Sequence, residues 1–238
     1  MSTASDLVSR SNRLGADPKN TNYAGGNTSA KGTQTDPVTG EPVELLWVKG
    51  SGGDLGTLTE SGLAVLRLDR LRALVDVYPG VEREDEMVAA FDYTLHGKGG
   101  ATPSIDTAMH ALVDAAHVDH LHPDSGIAFA TAKDGERLTK KAFGDKVVWV
   151  PWRRPGFQLG LDIAAIKEQN PDAIGCVRAA TASPHGAGPA RSARRTAAGS
   201  SAPRRSTWPP TGRRRRSGAR WRRTKLCRRP RAAPRPPR

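Results

Sequence analysis

The chain has 238 residues, with 37 Lys and Arg against 24 Asp and Glu, and its net charge of +13 taken whole indicates a nucleic-acid-binding protein. The average hides two regions, because residues 178–238 hold 19 basic residues and no acidic one, whereas residues 1–177 carry a net charge of −6. The polar N-terminus lacks an apolar signal core, no apolar run approaches the length of a membrane span, and two cysteines give no disulfide framework. These features predict a cytoplasmic protein with no membrane partner.

Residues 1–177 alternate helical and strand-like patterns. In chain order the patterns predict a helix at Asp6–Leu14, a glycine-rich turn at Tyr23–Gly32, a strand at Glu44–Lys49, a glycine-rich loop at Gly50–Gly56, a strand at Ala64–Asp69, and helices at Leu71–Val77 and Glu84–Leu95. They continue with a helix from Ser104 to Ala116, a strand region at Val118–Ala130, a helix at Asp134–Phe143, a strand at Lys146–Trp152, a helix at Phe157–Gln169 and a strand at Ala173–Val177. This alternation predicts an α/β domain with helices covering a sheet.

The basic region at 178–238 is rich in Pro and has few aliphatic residues, and its arginines occur in blocks such as Arg213–Arg216. Such a composition buries too little apolar surface to offset the conformational entropy of the chain. We therefore expect a domain at 1–177 followed by a disordered tail at 178–238.

Three histidines, His117, His120 and His122, lie close together just before Pro123. On an extended segment the imidazoles of His120 and His122 point to the same side, and both can then reach one divalent cation at about 2.0–2.1 Å. The alternative is a polar loop with surface histidines. The spacing leaves His117 outside the pair.

Upstream of the histidines, Ser104 is predicted to cap a helix that carries Asp106 and His110. Residues four apart share a helix face, so a carboxylate and an imidazole could converge on one pocket. The alternative for Asp106 is ordinary stabilisation of a helix N-terminus, and for His110 a packed or exposed position.

Two glycine-rich stretches, Gly25–Lys31 and Lys49–Gly53, combine closely spaced backbone N–H groups with hydroxyls and a lysine. Those are the components of a phosphate-binding loop, although glycine loops are more often simple turns. Next to a histidine pair, they favour a phosphorylated substrate.

Taken in order, the strings Gly-Gly-Asn-Thr-Ser, Lys-Gly-Ser-Gly, Pro-Ser-Ile-Asp-Thr and His-Val-Asp-His-Leu-His-Pro resemble the class II aldolase and adducin family. More narrowly, the chain resembles the N-terminal half of bifunctional rhamnulose-1-phosphate aldolase/short-chain dehydrogenase proteins. The resemblance implies a three-layer α/β/α fold, here truncated. It also implies a homo-oligomer that acts on a small sugar phosphate.

The resemblance carries roles to individual residues. It implies that His120 and His122 are two of three histidine ligands to Zn²⁺ or another divalent cation, and that Asp106 is the acid/base group. The residues implied for the substrate phosphate are Asn27, Thr28, Ser29, Ser51, Gly52 and Ser104. The implied reaction is the cleavage of a ketose 1-phosphate, such as L-rhamnulose 1-phosphate, to dihydroxyacetone phosphate and L-lactaldehyde.

The third histidine of the family motif is missing in its expected setting, since His185 has the wrong neighbours. Codons compatible with the residues after Val177, read two bases along, encode Gly-Gly-His-Gly, with the histidine opposite Thr181, 59 positions after His122. We hypothesise that a lost base replaced the rest of the aldolase domain and the dehydrogenase half with out-of-frame residues. The chain is then expected to fold poorly and to be weakly active or inactive.

Two other functions remain open from the sequence. The basic tail could bind nucleic acid, non-specifically and with steep salt dependence, although the front region has no basic face to support specific binding. A non-catalytic adducin-like scaffold would share the fold without the metal site. Retention of His120, His122 and Asp106 argues against the scaffold.

Overall fold

The structure, a computed structural model, describes residues 2–23, 25–97 and 100–180, and within them it has six strands and seven α-helices. The strands are β1 (Asn27–Thr35), β2 (Pro42–Lys49), β3 (Leu63–Arg67), β4 (His117–His120), β5 (Val147–Val150) and β6 (Gly175–Arg178). The helices are α1 (Thr3–Gly15), α2 (Leu68–Ala73), α3 (Asp85–Ala90), α4 (Thr107–Leu112), α5 (Asp124–Thr131), α6 (Gly135–Phe143) and α7 (Phe157–Gln169). The tail predicted to be disordered starts at residue 178, but Arg178 is the last residue of β6. The rest of that tail from residue 181, and the histidine of the shifted frame, lie outside the described residues. None of the described helices has the length and apolar character needed to cross a membrane.

The main sheet has four strands in the order β3-β2-β1-β4, and every neighbouring pair is antiparallel. Strand β1 therefore lies in the middle, between β2 and the edge strand β4. Asn27 at the start of β1 is paired with His120 at the end of β4. This register brings two predicted site residues, 93 positions apart in the sequence, side by side.

The two faces of this sheet are covered by different helices. On one face Leu46, Val48 and Leu66 pack with helices α2, α3, α4 and α7; on the other, Leu45 and Trp47 pack with α1. Successive apolar residues of β2 thus point to opposite faces of the sheet and pack in two separate cores. Helix, sheet and helix form three layers, which confirms the predicted α/β/α fold. A second sheet of two parallel strands, β5 and β6, packs with α6 and α7.

The strand β1 was missed from the sequence, because residues 23–32 were interpreted as a turn. Its sequence, Asn-Thr-Ser-Ala-Lys-Gly-Thr-Gln-Thr, has no large aliphatic residue, so no strand pattern is visible. It is extended because both of its edges are paired, with β2 and with β4. The strand predicted at Val118–Ala130 is right only at its start, since β4 ends at His120 and the apolar run after Pro123 is helical.

Helix α4 is the element that carries Asp106 and His110 towards β1 and β4. It begins at Thr107, later than predicted, with Asp106 at the N-cap position. The Ser104 hydroxyl still accepts a hydrogen bond from the backbone N–H of Asp106, at 3.0 Å. Helix α7 packs closely against α4 at Gly160, where a Cβ would lie 2.8 Å from the Ala108 Cβ. This close approach fixes α4 against the body of the domain.

Candidate functional site

The imidazoles of His120 and His122 face each other at the end of the edge strand β4. Their Nε2 atoms are 3.2 Å apart, and the two rings are nearly perpendicular, at 73°. Two nitrogens bound to one tetrahedral zinc ion at about 2.0–2.1 Å would be about 3.3 Å apart. The pair therefore has the spacing of two ligands to one cation. His117, on the same strand, is exposed and points to the other face.

Asp106 lies behind this pair, with Oδ2 at 3.4 Å from the Nδ1 atom of His120. A carboxylate at Nδ1 favours the tautomer that is protonated there, which leaves the Nε2 lone pair available to a metal. Burial raises the pKa of Asp106, but the hydrogen bond and charge of His120 outweigh it and hold that pKa below its usual value. Asp106 is therefore ionised at neutral pH.

Burial lowers the pKa of His122, and the neighbouring His120 acts in the same direction, so the neutral imidazole is favoured. The neutral imidazole is the form that binds a metal. Among the described residues no group of three His, Cys, Asp or Glu side chains is arranged to hold a metal ion. The residues in place thus fit two protein ligands to a divalent cation, and the remaining ligands would have to come from elsewhere.

Asn27 connects the histidine pair to the glycine-rich loop after β2. Its Nδ2 atom donates to the backbone oxygen of Lys49 at 3.1 Å and to the Ser104 hydroxyl at 2.9 Å. Ser104 in turn holds Asp106, and Asp106 holds His120, the strand partner of Asn27. These contacts form a closed ring. Five residues from four parts of the sequence are thereby fixed in one place.

The loop at residues 50–53 follows Lys49 and lies next to the ring of contacts around Asn27. The backbone N–H of Ser51 donates to the Thr102 oxygen at 2.9 Å, and the Ser51 side chain is exposed. Gly52 and Gly53 both have positive φ, 74° and 71°, a conformation that L side chains rarely adopt. The other glycine loop approaches His122, since a Cβ on Gly25 would lie 2.9 Å from its Nδ1 atom.

Two residues of the predicted phosphate set lie elsewhere. The Thr28 hydroxyl is 2.7 Å from the Ser11 hydroxyl, on the α1 face of the sheet and therefore opposite Asn27. The Ser29 hydroxyl is buried beneath α4, 2.8 Å from the Nδ1 atom of His110. Strand alternation places Thr28 and Ser29 in these positions. The site face of β1 is thus formed by Asn27, with Ser29 deeper in the core.

His110 is a packed core residue. It is completely buried, and burial lowers its pKa to about 3. The imidazole is therefore neutral at physiological pH, with Ser29 as its hydrogen-bond partner. Sequence reasoning left a packed position open for this histidine, and the structure adopts it.

The histidine pair opens onto a cleft of about 820 Å³ between β4 and β6. Its walls are mostly apolar and include Val118, Val148, Ile163, Ile166 and Val177. A cleft of this volume is large enough for a small-molecule ligand. We call His120, His122 and Asp106 the histidine half of the site, and Asn27, Ser104, Lys49 and the loop at 50–53 the glycine-loop half.

Lys49 was noted in the sequence as part of a glycine-rich stretch but was not among the residues implied for the phosphate. Its side chain is buried, and Nζ donates to the backbone oxygen of Gly52 at 2.6 Å. The sequence did contain a signal, a lysine directly before a glycine-rich loop. That pattern alone does not show whether the lysine points into solvent or under the loop.

Comparison with known proteins identifies similar sequences and folds. Residues 6–186 match the model of the class II aldolase and adducin N-terminal domain. The N-terminal class II aldolase domain of a conserved protein from Thermoplasma acidophilum is similar in structure, with a TM-score of 0.66, 27% identity, and coverage of 75% of this chain and 80% of that one. An L-fuculose 1-phosphate aldolase aligns with a TM-score of 0.44 and 15% identity, over 70% of this chain and 67% of that one.

A curated relative is longer than this chain. The uncharacterized oxidoreductase YuxG of Bacillus subtilis (strain 168) is 40% identical over 170 residues, which is 71% of this chain but only 24% of that protein. This chain thus spans about a quarter of its relative. The family match covers three quarters of the sequence, and the chain belongs to the class II aldolase and adducin family.

Proposed function

We propose that residues 1–177 form the incomplete aldolase domain of a metal-dependent lyase. The reaction is cleavage of a ketose 1-phosphate, such as L-rhamnulose 1-phosphate, to dihydroxyacetone phosphate and an aldehyde, here L-lactaldehyde. One observation carries this proposal: the hydrogen-bonded ring through Asn27, Ser104, Asp106 and His120, which puts a metal-ligand pair beside a glycine-rich loop.

His120 and His122 would hold the cation, zinc or another divalent ion. Bound there, it would supply Lewis-acid polarisation of the carbonyl and hydroxyl oxygens of the ketose. Asp106 orients His120 through Nδ1 with one carboxylate oxygen, so its second oxygen is available to a substrate proton. The missing ligand could come from water, from Asp106, or from the third histidine encoded in the shifted frame.

Asp106 would move the proton in this reaction. As the carbon–carbon bond breaks, a base must take the proton of the hydroxyl whose carbon becomes the aldehyde carbon, and the other carbon must gain one. Asp106 is ionised because its pKa is held low, so it enters the reaction as a proton acceptor. It could then return that proton to the carbon of the departing three-carbon fragment.

The glycine-loop half would bind the phosphate. The Ser51 side chain is exposed there, and Gly52 and Gly53 both have positive φ. The side-chain amide of Asn27 donates to the backbone oxygen of Lys49 and to the Ser104 hydroxyl. With both N–H groups used, Asn27 would support the pocket rather than donate to the phosphate. The bound ligand would then extend from the loop to the histidine pair.

The proposal is tested with a frame-restored gene that continues past Val177 in the shifted frame. The purified protein should release dihydroxyacetone phosphate from L-rhamnulose 1-phosphate, lose that activity with a chelator, and regain it with zinc. The variant with both His120→Ala and His122→Ala is the control. Metal-independent cleavage, or a folded protein that binds zinc without cleaving any ketose 1-phosphate, contradicts the proposal; a folded protein that binds no zinc would support the adducin-like scaffold.

A further inference from the structure

Strand β4, which ends at the first histidine of the pair, specifies its own register only weakly. It has four residues, His-Val-Asp-His, of which Val118 alone is aliphatic. Within the described part of the chain it is an edge strand that pairs with β1 only. A slip of one residue would turn His120 to the opposite face and bring Asp119 to the site face. The register of β4 therefore decides whether the histidine pair forms.

An ion pair on the opposite face of the sheet holds β4. The Nη2 atom of Arg10, on α1, lies 3.0 Å from the Oδ1 atom of Asp119. The same nitrogen donates to the backbone oxygen of Ser29, in β1, at 2.6 Å. The side chains of Arg10 and Asp119 are only 19% and 30% exposed, so their attraction is less screened by water than that of a surface pair. One guanidinium thus joins α1, β1 and β4.

The helix that carries Arg10 is itself fixed against the sheet. Leu7 of α1 is buried in the core on this face. The Ser11 hydroxyl lies 2.7 Å from the Thr28 hydroxyl, and Thr28 is the strand partner of Asp119. Arg10 therefore projects from a helix whose position relative to β1 is already determined, and it can set the position of β4 relative to both.

We propose that Arg10 and Asp119 are positioning residues for the metal-binding histidines. Their ion pair keeps Asp119 on the α1 face, and strand alternation then places the next residue, His120, on the site face beside Asp106. Both side chains of the ion pair lie on the face opposite His120, so they act through the strand. This inference rests on the proposed function, since it concerns the same pair of metal ligands.

Zinc affinity of the 238-residue chain, measured by competition with a chelating dye, tests this role. If charge alone mattered, Arg10→Met would remove a positive charge and tighten zinc binding, whereas Asp119→Asn would remove a negative charge and weaken it. If the ion pair positions the histidines, both variants should weaken zinc binding, by about tenfold each. The double variant should then bind zinc no more weakly than the weaker of the two single variants, because both remove the same contact.

The matched control is Arg67→Met. Arg67 ends β3, the strand at the other edge of the same sheet, and forms ion pairs with Asp36 and Asp69. Its loss should lower stability in urea denaturation, as the loss of Arg10 does, but leave zinc affinity unchanged. The comparison separates a positioning role from a general loss of structure.

Each outcome decides a different question. If the original protein binds no zinc, the proposed function fails together with this inference. If it binds zinc, and Arg10→Met leaves the affinity unchanged or raises it, only the positioning role is wrong. A loss of zinc affinity in Arg67→Met as large as in Arg10→Met would also overturn that role. Should Arg10→Met not fold, Arg10→Gln, which can still donate to the Ser29 oxygen but has no charge, replaces it with the same expectation.

Discussion

The two halves of the site are built in opposite ways. In the glycine-loop half, Asn27, Ser104 and Lys49 are buried and hold one another through hydrogen bonds. In the histidine half, His120 and His122 are partly exposed, at and just after the end of an edge strand that borders the apolar cleft. Polar groups in the first half therefore contribute to stability as well as binding, whereas those in the second contribute mainly to binding. Substitutions in the two halves should therefore have different effects on stability and on binding.

The largest effect is expected at the metal ligands. His122→Ala removes one of two protein nitrogens and should weaken zinc binding by about 100-fold or more, with little change in thermal stability because the side chain is partly exposed. A competition titration against a chelating dye measures the affinity. His117→Ala, in β4 on the opposite face from His120, is the control and should bind zinc normally. Equal zinc affinity in the two variants would remove His122 from the site.

In the glycine-loop half, Asn27→Leu should cost stability instead. The change leaves the buried Lys49 oxygen without its donor, so we expect a loss of about 2–3 kcal/mol in the free energy of unfolding. Urea denaturation measures it. Phosphate binding should fall with it, while zinc affinity falls by less than in His122→Ala. A variant as stable as the original protein would show that the ring of contacts is not structural.

Acid should destabilise the domain through His110. Its pKa is about 3 in the folded state and about 6.5 in the unfolded chain. Below pH 6.5 the unfolded chain therefore binds a proton that the folded chain does not, and the free energy of unfolding decreases as the pH is lowered. The expected loss is about 2 kcal/mol between pH 6.5 and pH 5. Urea denaturation at both pH values, compared with His110→Gln, isolates this contribution. An equal pH dependence in the variant would mean that His110 is not buried in neutral form.

The smallest effect is expected at Thr28, which lies on the opposite face of the sheet from the site. Thr28→Val removes the contact with Ser11 and should cost about 1 kcal/mol in unfolding free energy. Calorimetry with inorganic phosphate should give unchanged binding. Weaker phosphate binding with normal stability would show that Thr28 does belong to the phosphate pocket.

The sequence predicted helices better than it predicted β1. Helix α7 has the predicted bounds, Phe157–Gln169, because its own apolar spacing determines it. Strand β1 is extended only because β2 and β4 pair with it, and those partners are distant in the sequence. Because β1 was not predicted as a strand, the sequence also did not predict that Asn27 and Thr28 point to opposite faces of the sheet.

The chemistry of the site was more visible than its geometry. The spacing of His120 and His122 predicts a pair on one side of an extended segment, and the structure has that pair. The contact of Asp106 with Nδ1 of His120, and the burial of Lys49, depend on where α4 and the loop pack. Those are tertiary contacts that local patterns do not contain.

The central claim is that the two halves form one site for a metal ion and a phosphorylated ligand. Cobalt(II) in place of zinc reports on this directly, because its visible absorption depends on its ligands. With cobalt bound, addition of dihydroxyacetone phosphate should change the spectrum, and the double variant His120→Ala and His122→Ala should show neither the cobalt band nor the change. A cobalt band that stays constant while dihydroxyacetone phosphate saturates the protein would contradict the claim.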